Sequence, residues 1–131
     1  VRFLGWRDDV AALFAAADIF VCPSRFEPLG NVVVEAWAQA KPVIAADSLG
    51  PGTLIHDRET GVLVPVDDAP SMARAIELVL DDEQLRAHIA RQGREAFEAA
   101  FTEEAVVEQY MEFFEAVVAT REAEKKAGDA G

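Results

Sequence analysis

The sequence predicts an α/β fold in which a Rossmann-like parallel sheet is flanked by helices and followed by an all-helical segment. Two observations carry this prediction. As far as about residue 64, short and continuously apolar runs alternate with helical patterns, which is typical of parallel strands buried on both faces. From residue 69 onward, the apolar spacing is that of helices alone. A length of 131 residues suits one domain.

The apolar runs predict four strands: Val1–Leu4, Asp18–Cys22, Pro42–Ala46 and Gly61–Val64. The helical spacings predict five helices: Asp8–Ala16, Gly30–Ala40, Ser71–Leu80, Glu83–Ala100 and Thr102–Ala119. Residues 48–56 contain glycine and proline and are expected to form a turn. We place the domain at residues 1–118 and expect 119–131, rich in Glu, Lys, Ala and Gly, to form a flexible tail.

Composition narrows the possible partners and compartment. A net charge of −12 disfavours nucleic acid and anionic membrane surfaces. The single cysteine, Cys22, lies in an apolar run and is expected to be a buried residue of a cytoplasmic protein. No apolar run reaches the roughly 18 residues that a spanning helix needs. Because the chain opens on Val1 with an apparent strand, we interpret it as a fragment of a longer polypeptide.

The segment most informative about function runs from Pro23 to Ala36, where a predicted strand passes through a loop into a helix. Open α/β sheets bind ligands at this edge, outside the carboxyl ends of their strands. Gly30 and Asn31 stand at the predicted helix start, where free N–H groups and the helix dipole can hold an anion. The segment therefore predicts a diphosphate-binding site.

Two carboxylates flank that predicted site. Glu27 precedes the helix and Glu35 lies within it, and carboxylates of this kind can accept hydrogen bonds from sugar hydroxyls. Two alternatives stay open: Glu35 can be a solvated helix residue, and Glu27 can simply face the positive end of the helix dipole. Arg25, the cation within the loop, can reach a phosphate or pair with Glu27, and the sequence favours neither.

This segment resembles the donor-binding segment of the retaining GT-B glycosyltransferases called group 1 or family 4. The resemblance rests on Glu27 and Glu35 with seven residues between them, Pro23-Ser24 before them, and Lys41-Pro42-Val43-Ile44-Ala45 after them. It extends over most of residues 1–118. Two departures are visible: Lys41 stands where the family usually has glycine, and the turn at 49–53 lacks the usual glutamate.

The resemblance implies a role for each matching residue. It places Glu27 beside the donor sugar as the catalytic carboxylate, and Glu35 on the ribose hydroxyls of the nucleotide. The diphosphate would meet backbone N–H groups near Leu29, Gly30 and Asn31, with Arg25 nearby, and the nucleobase would lie against the backbone of Phe3 and Leu4. The substrate would be a nucleotide-diphosphate sugar, with no metal and no cofactor.

The resemblance also implies what such an enzyme needs beyond this chain. In the family, an upstream basic pair and an N-terminal, acceptor-binding domain complete the active site. Such a hexosyltransferase transfers the glycosyl group, with retention, to the hydroxyl of an acceptor sugar or lipid-linked acceptor. We therefore expect the isolated chain to be inactive. The enzyme would be cytoplasmic and could reach the inner face of the membrane through the missing domain.

Three competing interpretations remain. A related GT-B nucleotide-sugar epimerase would bind the same donor, as would a module without catalytic activity. A receiver-type signalling domain would need a phosphorylatable aspartate, for which Asp47 is an isolated candidate. Independently of function, the last helix has apolar residues on overlapping stripes, which predicts a homodimer of the fragment. These stripes consist of Val106, Val107, Tyr110, Phe113, Phe114 and Val117.

Overall fold

The computed structural model describes the backbone of residues 1–128 and the side chains of residues 1–121. The chain divides into two compact units, Val1–Phe97 and a second unit that begins at Glu98. The first unit holds the sheet, its flanking helices and the candidate site. The predicted domain boundary at residue 118 and the flexible tail after it stay predictions.

Three parallel strands form the sheet, in the order β1 (Phe20–Cys22), β2 (Val43–Ala46) and β3 (Val62–Val64). Val21 is paired with Ile44, and Ala45 with Leu63. Parallel neighbours need a crossover between them, and here each crossover carries a helix. The predicted Rossmann-like sheet with flanking helices is confirmed.

The described residues also form six helices: α1 (Val10–Ala16), α2 (Asn31–Ala38), α3 (Leu49–Leu54), α4 (Ala69–Asp81), α5 (Glu83–Ala100) and α6 (Glu103–Gly128). Five of them match predicted helices. The starts of α4 and α6 show why. Asp68 caps α4 by accepting from the N–H of Ser71 at 2.9 Å, and the hydroxyl of Thr102 accepts from the N–H of Ala105 at 3.2 Å.

The core surrounds the central strand, whose four residues are all buried. Because side chains alternate along a strand, Ile44 faces α4 and α5 while Val43 and Ala45 point to the other side, where α2 packs. One buried cluster joins the sheet to α4 and α5: Ile44, Val62, Val64, Ala75, Val79 and Ile89. Burial on both faces explains why these strands are apolar at every position.

Trp37 anchors the opposite side of the first unit. Its side chain is 1% exposed, and its indole N–H donates to the backbone oxygen of Thr60 at 2.9 Å. A Cβ on Gly93 of α5 would lie 2.6 Å from Trp37 Nε1, so this glycine lets α5 approach the ring. Trp37 is therefore a packing residue.

The strand predicted at Val1–Leu4 is wrong. Residues 1–5 have no regular secondary structure, and the side chains of Phe3 and Leu4 are 97% and 54% exposed. An apolar run becomes a strand only when a neighbour pairs with its backbone, and β1 pairs with β2 alone among the described residues. Residues 1–4 have the apolar composition of a buried strand, but no described strand pairs with their backbone.

Two further expectations differ from the structure. Residues 49–54, expected as a turn, form the short helix α3, although Gly50, Pro51 and Gly52 are poor helix formers. The last helix does not end near Ala119 but continues to Gly128, through Ala, Glu and Lys residues that favour helix. Among the described residues, no helix is both long and apolar enough to cross a bilayer.

Candidate functional site

The candidate site centres on the motif loop, residues 23–30, which joins the carboxyl end of β1 to the start of α2. The carboxyl ends of β2 and β3 lie at the same edge of the sheet because all three strands are parallel. The segments that follow these two strands, at residues 47–50 and 65–68, are thus the neighbours of the motif loop.

Gly30 sets the geometry at the start of α2. It is the N-cap residue and has a left-handed backbone, with φ 75° and ψ 23°. A Cβ here would lie 2.6 Å from Leu54 Cδ1 and 3.2 Å from the carbonyl carbon of Gly50, so both backbone angle and space favour glycine. The first N–H groups of α2 have no acceptor within the helix and carry the positive end of its dipole.

Glu27 lies against this helix start. Its Oε1 accepts a hydrogen bond from the backbone N–H of Gly30 at 3.1 Å, and the residue is partly buried. This contact matches the interpretation in which Glu27 faces the helix dipole. The Glu27 carboxylate can still accept further hydrogen bonds, because an ionised carboxylate has about four lone-pair positions. The contact also fixes where the carboxylate sits relative to α2.

Gly50 holds the motif loop from the other side. Its N–H donates to the backbone oxygen of Glu27 at 2.7 Å. A Cβ on Gly50 would lie 2.6 Å from that oxygen and 2.7 Å from the carbonyl carbon of Leu29. The start of α3 therefore packs backbone against backbone with residues 27–30. Sequence reasoning identified the glycine turn but not this contact.

Asn31 and Glu35 share the exposed face of α2. They are four residues apart, so their side chains project from the same side of the helix. Both are exposed, whereas Val33, Ala36 and Trp37 are buried. The structure thus brings Glu27, Leu29, Gly30 and Asn31 together at the helix start and places Glu35 one turn further along α2.

Arg25 pairs with a residue that sequence reasoning missed. Its Nε bonds Oδ1 of Asp67, in the turn between β3 and α4, and not the carboxylate of Glu27. The two partners are 42 positions apart in the sequence. Only the parallel sheet brings their loops to one edge, so no local sequence signal could have identified this pair.

An open cavity of about 550 Å³ lies at the same edge. Arg25, Asp67 and Asp68 contribute its charged groups, and Met72 and Ile76 of α4 belong to its apolar wall. Asp68 is engaged as the cap of α4. The hydroxyl of Ser71, the first and strongest influence, and the Ser71 N–H hold the pKa of Asp68 below its ordinary 3.8.

Other sequence candidates fall away from the motif loop. Phe3 and Leu4 are exposed and are not among the residues that line the open cavity of about 550 Å³, and their predicted role stays a prediction. Lys41 donates to the backbone oxygen of Ala15 at 2.8 Å and so compensates the end of α1. Nε2 of His88 lies 3.1 Å from Oε2 of Glu59 in a surface pair.

Comparison with known proteins identifies the family that the motif loop resembles. The family described as glycosyl transferases group 1 matches residues 1–96. The lipopolysaccharide core biosynthesis glycosyltransferase LpsE of Rhizobium meliloti is 44% identical over 112 residues, which are 86% of this chain and 33% of LpsE.

Two solved structures share the fold. Sucrose-phosphate synthase from Thermosynechococcus elongatus aligns with a TM-score of 0.81 and 36% identity, over 92% of this chain and 31% of the synthase. HepE of Anabaena, in complex with UDP, aligns with a TM-score of 0.83 and 32% identity, over 88% of this chain and 32% of HepE. A further HepE structure contains UDP-glucose. The chain spans about a third of the length of these relatives.

Proposed function

Because this chain belongs to the glycosyl transferases group 1 family, we propose that it binds the nucleotide-diphosphate sugar donor of a GT-B glycosyltransferase. The observation that carries the proposal is the start of α2, where the N–H of left-handed Gly30 holds the carboxylate of Glu27 next to the first-turn N–H groups of the helix. An anion and a hydroxylated ring could bind side by side there. UDP and UDP-glucose, the ligands of the HepE structures, are the first candidates to test.

The diphosphate is assigned to the N–H groups around Leu29, Gly30 and Asn31. Because the N–H of Gly30 donates to Glu27 in this structure, the anion would rely mainly on the N–H groups on either side of it. These groups carry partial positive charge at the helix start, so an anion bound there is stabilised without a metal ion. These local N–H groups are needed because the chain has a net charge of −12, and its overall negative potential repels phosphate. Arg25 lies in the same loop and would add positive charge near the bound anion.

The two carboxylates are assigned to the sugars. Glu27 would accept from donor-sugar hydroxyls with the lone pairs that Gly30 leaves free, and it is the residue we propose to be catalytic. Glu35, exposed one turn along α2, would accept from the ribose hydroxyls. Phe3 and Leu4 would contribute backbone to the nucleobase site once residues 1–4 are ordered by a neighbouring strand.

The reaction we propose for the whole enzyme is glycosyl transfer to an acceptor hydroxyl with retention of configuration. The bond between the anomeric carbon and the diphosphate oxygen breaks, the acceptor oxygen bonds that carbon, and the acceptor's proton passes to the departing diphosphate. The N–H groups at the start of α2 stabilise the negative charge that develops on this leaving group. The acceptor and the groups that bind it would belong to a domain outside this chain. LpsE is named as a glycosyltransferase, which favours transfer over epimerisation, and the family match leaves the receiver-type interpretation of Asp47 without support.

Heteronuclear NMR tests the proposal directly. Titration with UDP and then UDP-glucose should shift the amide signals of Leu29, Gly30 and Asn31, and UMP should shift them less because it has one phosphate fewer. The variant Glu35→Ala should weaken UDP binding. Glu77→Ala, which removes an exposed helical carboxylate on α4, should leave binding unchanged.

The outcomes separate the parts of the proposal. A folded chain whose amides at residues 29–31 do not respond to UDP at millimolar concentration would contradict donor binding by this chain. Equal affinities for the wild type and Glu35→Ala would contradict only the ribose assignment. A conserved response to UDP without any response to the sugar of UDP-glucose would contradict the assignment of Glu27.

A further inference from the structure

We propose that Asp67 is a positioning residue for the motif loop and acts on it through Arg25. Asp67 lies in the turn after β3, outside the segment that carries the family resemblance to a donor site. Its carboxylate bonds Nε of Arg25, and Arg25 is two residues from Glu27. The consequence for ligand affinity rests on the proposed function, whereas the consequence for the loop itself does not.

The motif loop is held differently in its two halves. The second half is fixed by backbone contacts, since Glu27 accepts from Gly50 at 2.7 Å and Gly30 is nearly enclosed. The first half has little apolar burial to hold it, because Phe26 is 84% exposed and Pro23 is exposed as well. The ion pair of Arg25 with Asp67 is therefore the tie that joins this half to the rest of the sheet edge.

The backbone of Asp67 supports a specific role for its side chain. Its φ is 62°, in the left-handed region that most side chains avoid and that Asp and Asn enter more readily. This conformation turns the chain between β3 and α4, with Asp67 on the rim of the edge cavity beside Arg25. Substitution with Asn keeps the shape and the backbone preference while it removes the charge.

The exposure of the pair limits the size of the effect. The side chains of Arg25 and Asp67 are 72% and 58% exposed, and exposed ion pairs contribute little to global stability. Asp67→Asn should therefore leave the unfolding transition almost unchanged. The first half of the motif loop should still become less well fixed. UDP affinity should fall by about two- to fivefold, the range that an exposed ion pair can supply.

The first experiment needs no ligand. Amide shifts and heteronuclear NOEs of residues 24–27 are compared in the wild type and Asp67→Asn. The control is Glu59→Gln, which removes the charge from the surface pair with His88; Glu59 precedes β3 and so lies at the amino end of this strand, away from the edge that carries both loops. Lower NOEs at residues 24–27 in Asp67→Asn alone support the proposal. Unchanged shifts and NOEs at these residues overturn it, whether or not the chain binds UDP.

The second experiment uses UDP and a double-mutant cycle. Asp67→Asn and Arg25→Gln are measured singly and together, alongside Glu59→Gln. If Asp67 acts through Arg25, the double variant should bind UDP no more weakly than Arg25→Gln alone. Losses that multiply in the double variant would show that Asp67 acts independently of Arg25 and would overturn the proposal. If wild-type UDP binding is absent, the proposed function fails, and the ligand-free comparison alone decides the role of Asp67.

Discussion

The N–H of Gly50 donates to the backbone oxygen of Glu27 at 2.7 Å and thereby ties the motif loop to the first turn of α3. This contact joins segments that follow two neighbouring strands. It requires a residue without a side chain, since a Cβ on Gly50 would lie 2.6 Å from the same oxygen. The position of the candidate catalytic carboxylate thus depends on a glycine in α3.

Gly50→Ala should therefore destabilise the chain by about 1–3 kcal/mol, the usual effect of overpacking against groups that cannot move. Gly52→Ala is the matched control on the same helix, because the atoms nearest to its new methyl group belong to Asp47, whose side chain is exposed and can move and whose backbone carbon is 3.8 Å away. Urea unfolding measures both variants. Equal losses would show that the close approach of Gly50 to the motif loop is not what restricts this position.

Ala40 offers a stabilising substitution. It follows the end of α2 with φ 50°, a left-handed conformation that is unfavourable for alanine and accessible to glycine. We expect Ala40→Gly to raise the free energy of unfolding by about 0.5–1 kcal/mol, after the greater entropy of glycine in the unfolded chain is deducted.

The control for this prediction lies two residues earlier. Ala38 is within α2, where a glycine should cost about 1 kcal/mol. In chemical denaturation, the free energy of unfolding should therefore fall for Ala38→Gly and rise for Ala40→Gly. A loss of stability in both variants would mean that the backbone at Ala40 is not left-handed in solution.

Asp68 should make the stability of the first unit depend on pH in the acid range. Its pKa is lowered in the folded chain by the hydroxyl and then the N–H of Ser71, with a further contribution from Arg74. A lowered folded-state pKa contributes stability above the unfolded value and loses it as pH falls through the folded value. The contribution is therefore complete at neutral pH and declines below about pH 4.

Calorimetry of the wild type and Asp68→Asn between pH 3 and pH 7 tests whether the stability contributed by Asp68 declines as pH falls. The difference between their melting temperatures should be constant at neutral pH and should narrow in the acid range, where the wild type loses the charged cap. Asn can still cap the helix, so the neutral-pH difference isolates the contribution of charge. A difference that widens on acidification would contradict the assignment.

The homodimer predicted from the last helix remains to be tested. Eight large apolar side chains on α6 are between 37% and 60% exposed: Val106, Val107, Tyr110, Met111, Phe113, Phe114, Val117 and Val118. Burial of one such side chain contributes about 1.5–3 kcal/mol. Phe113→Glu should therefore weaken any self-association by more than about tenfold.

Analytical ultracentrifugation at increasing concentration measures this association. Glu112→Gln, on the neighbouring position of α6, is the control and should not weaken it. Because each chain carries −12, association should strengthen with salt as repulsion is screened. A monomer at all concentrations and salt levels would contradict the prediction.

The sequence predicted the parts of the fold that local pattern controls. Each of β1, β2 and β3 lies within a predicted strand because buried parallel strands are apolar at nearly every position. The prediction failed at Val1–Leu4, where the pattern was right but a pairing partner was lacking. It also failed at α3, whose glycines and proline favour a turn locally but whose tertiary contacts hold a helix.

What the sequence determined by itself is the order of the three strands and of the five predicted helices, the place of the motif loop between β1 and α2, and the family to which these residues point. These follow from spacing along the chain. Only the tertiary structure decided that Arg25 pairs with Asp67 and that Gly50 holds Glu27. The physical reason is that parallel strands bring their carboxyl ends to one edge, so residues far apart in sequence become neighbours there.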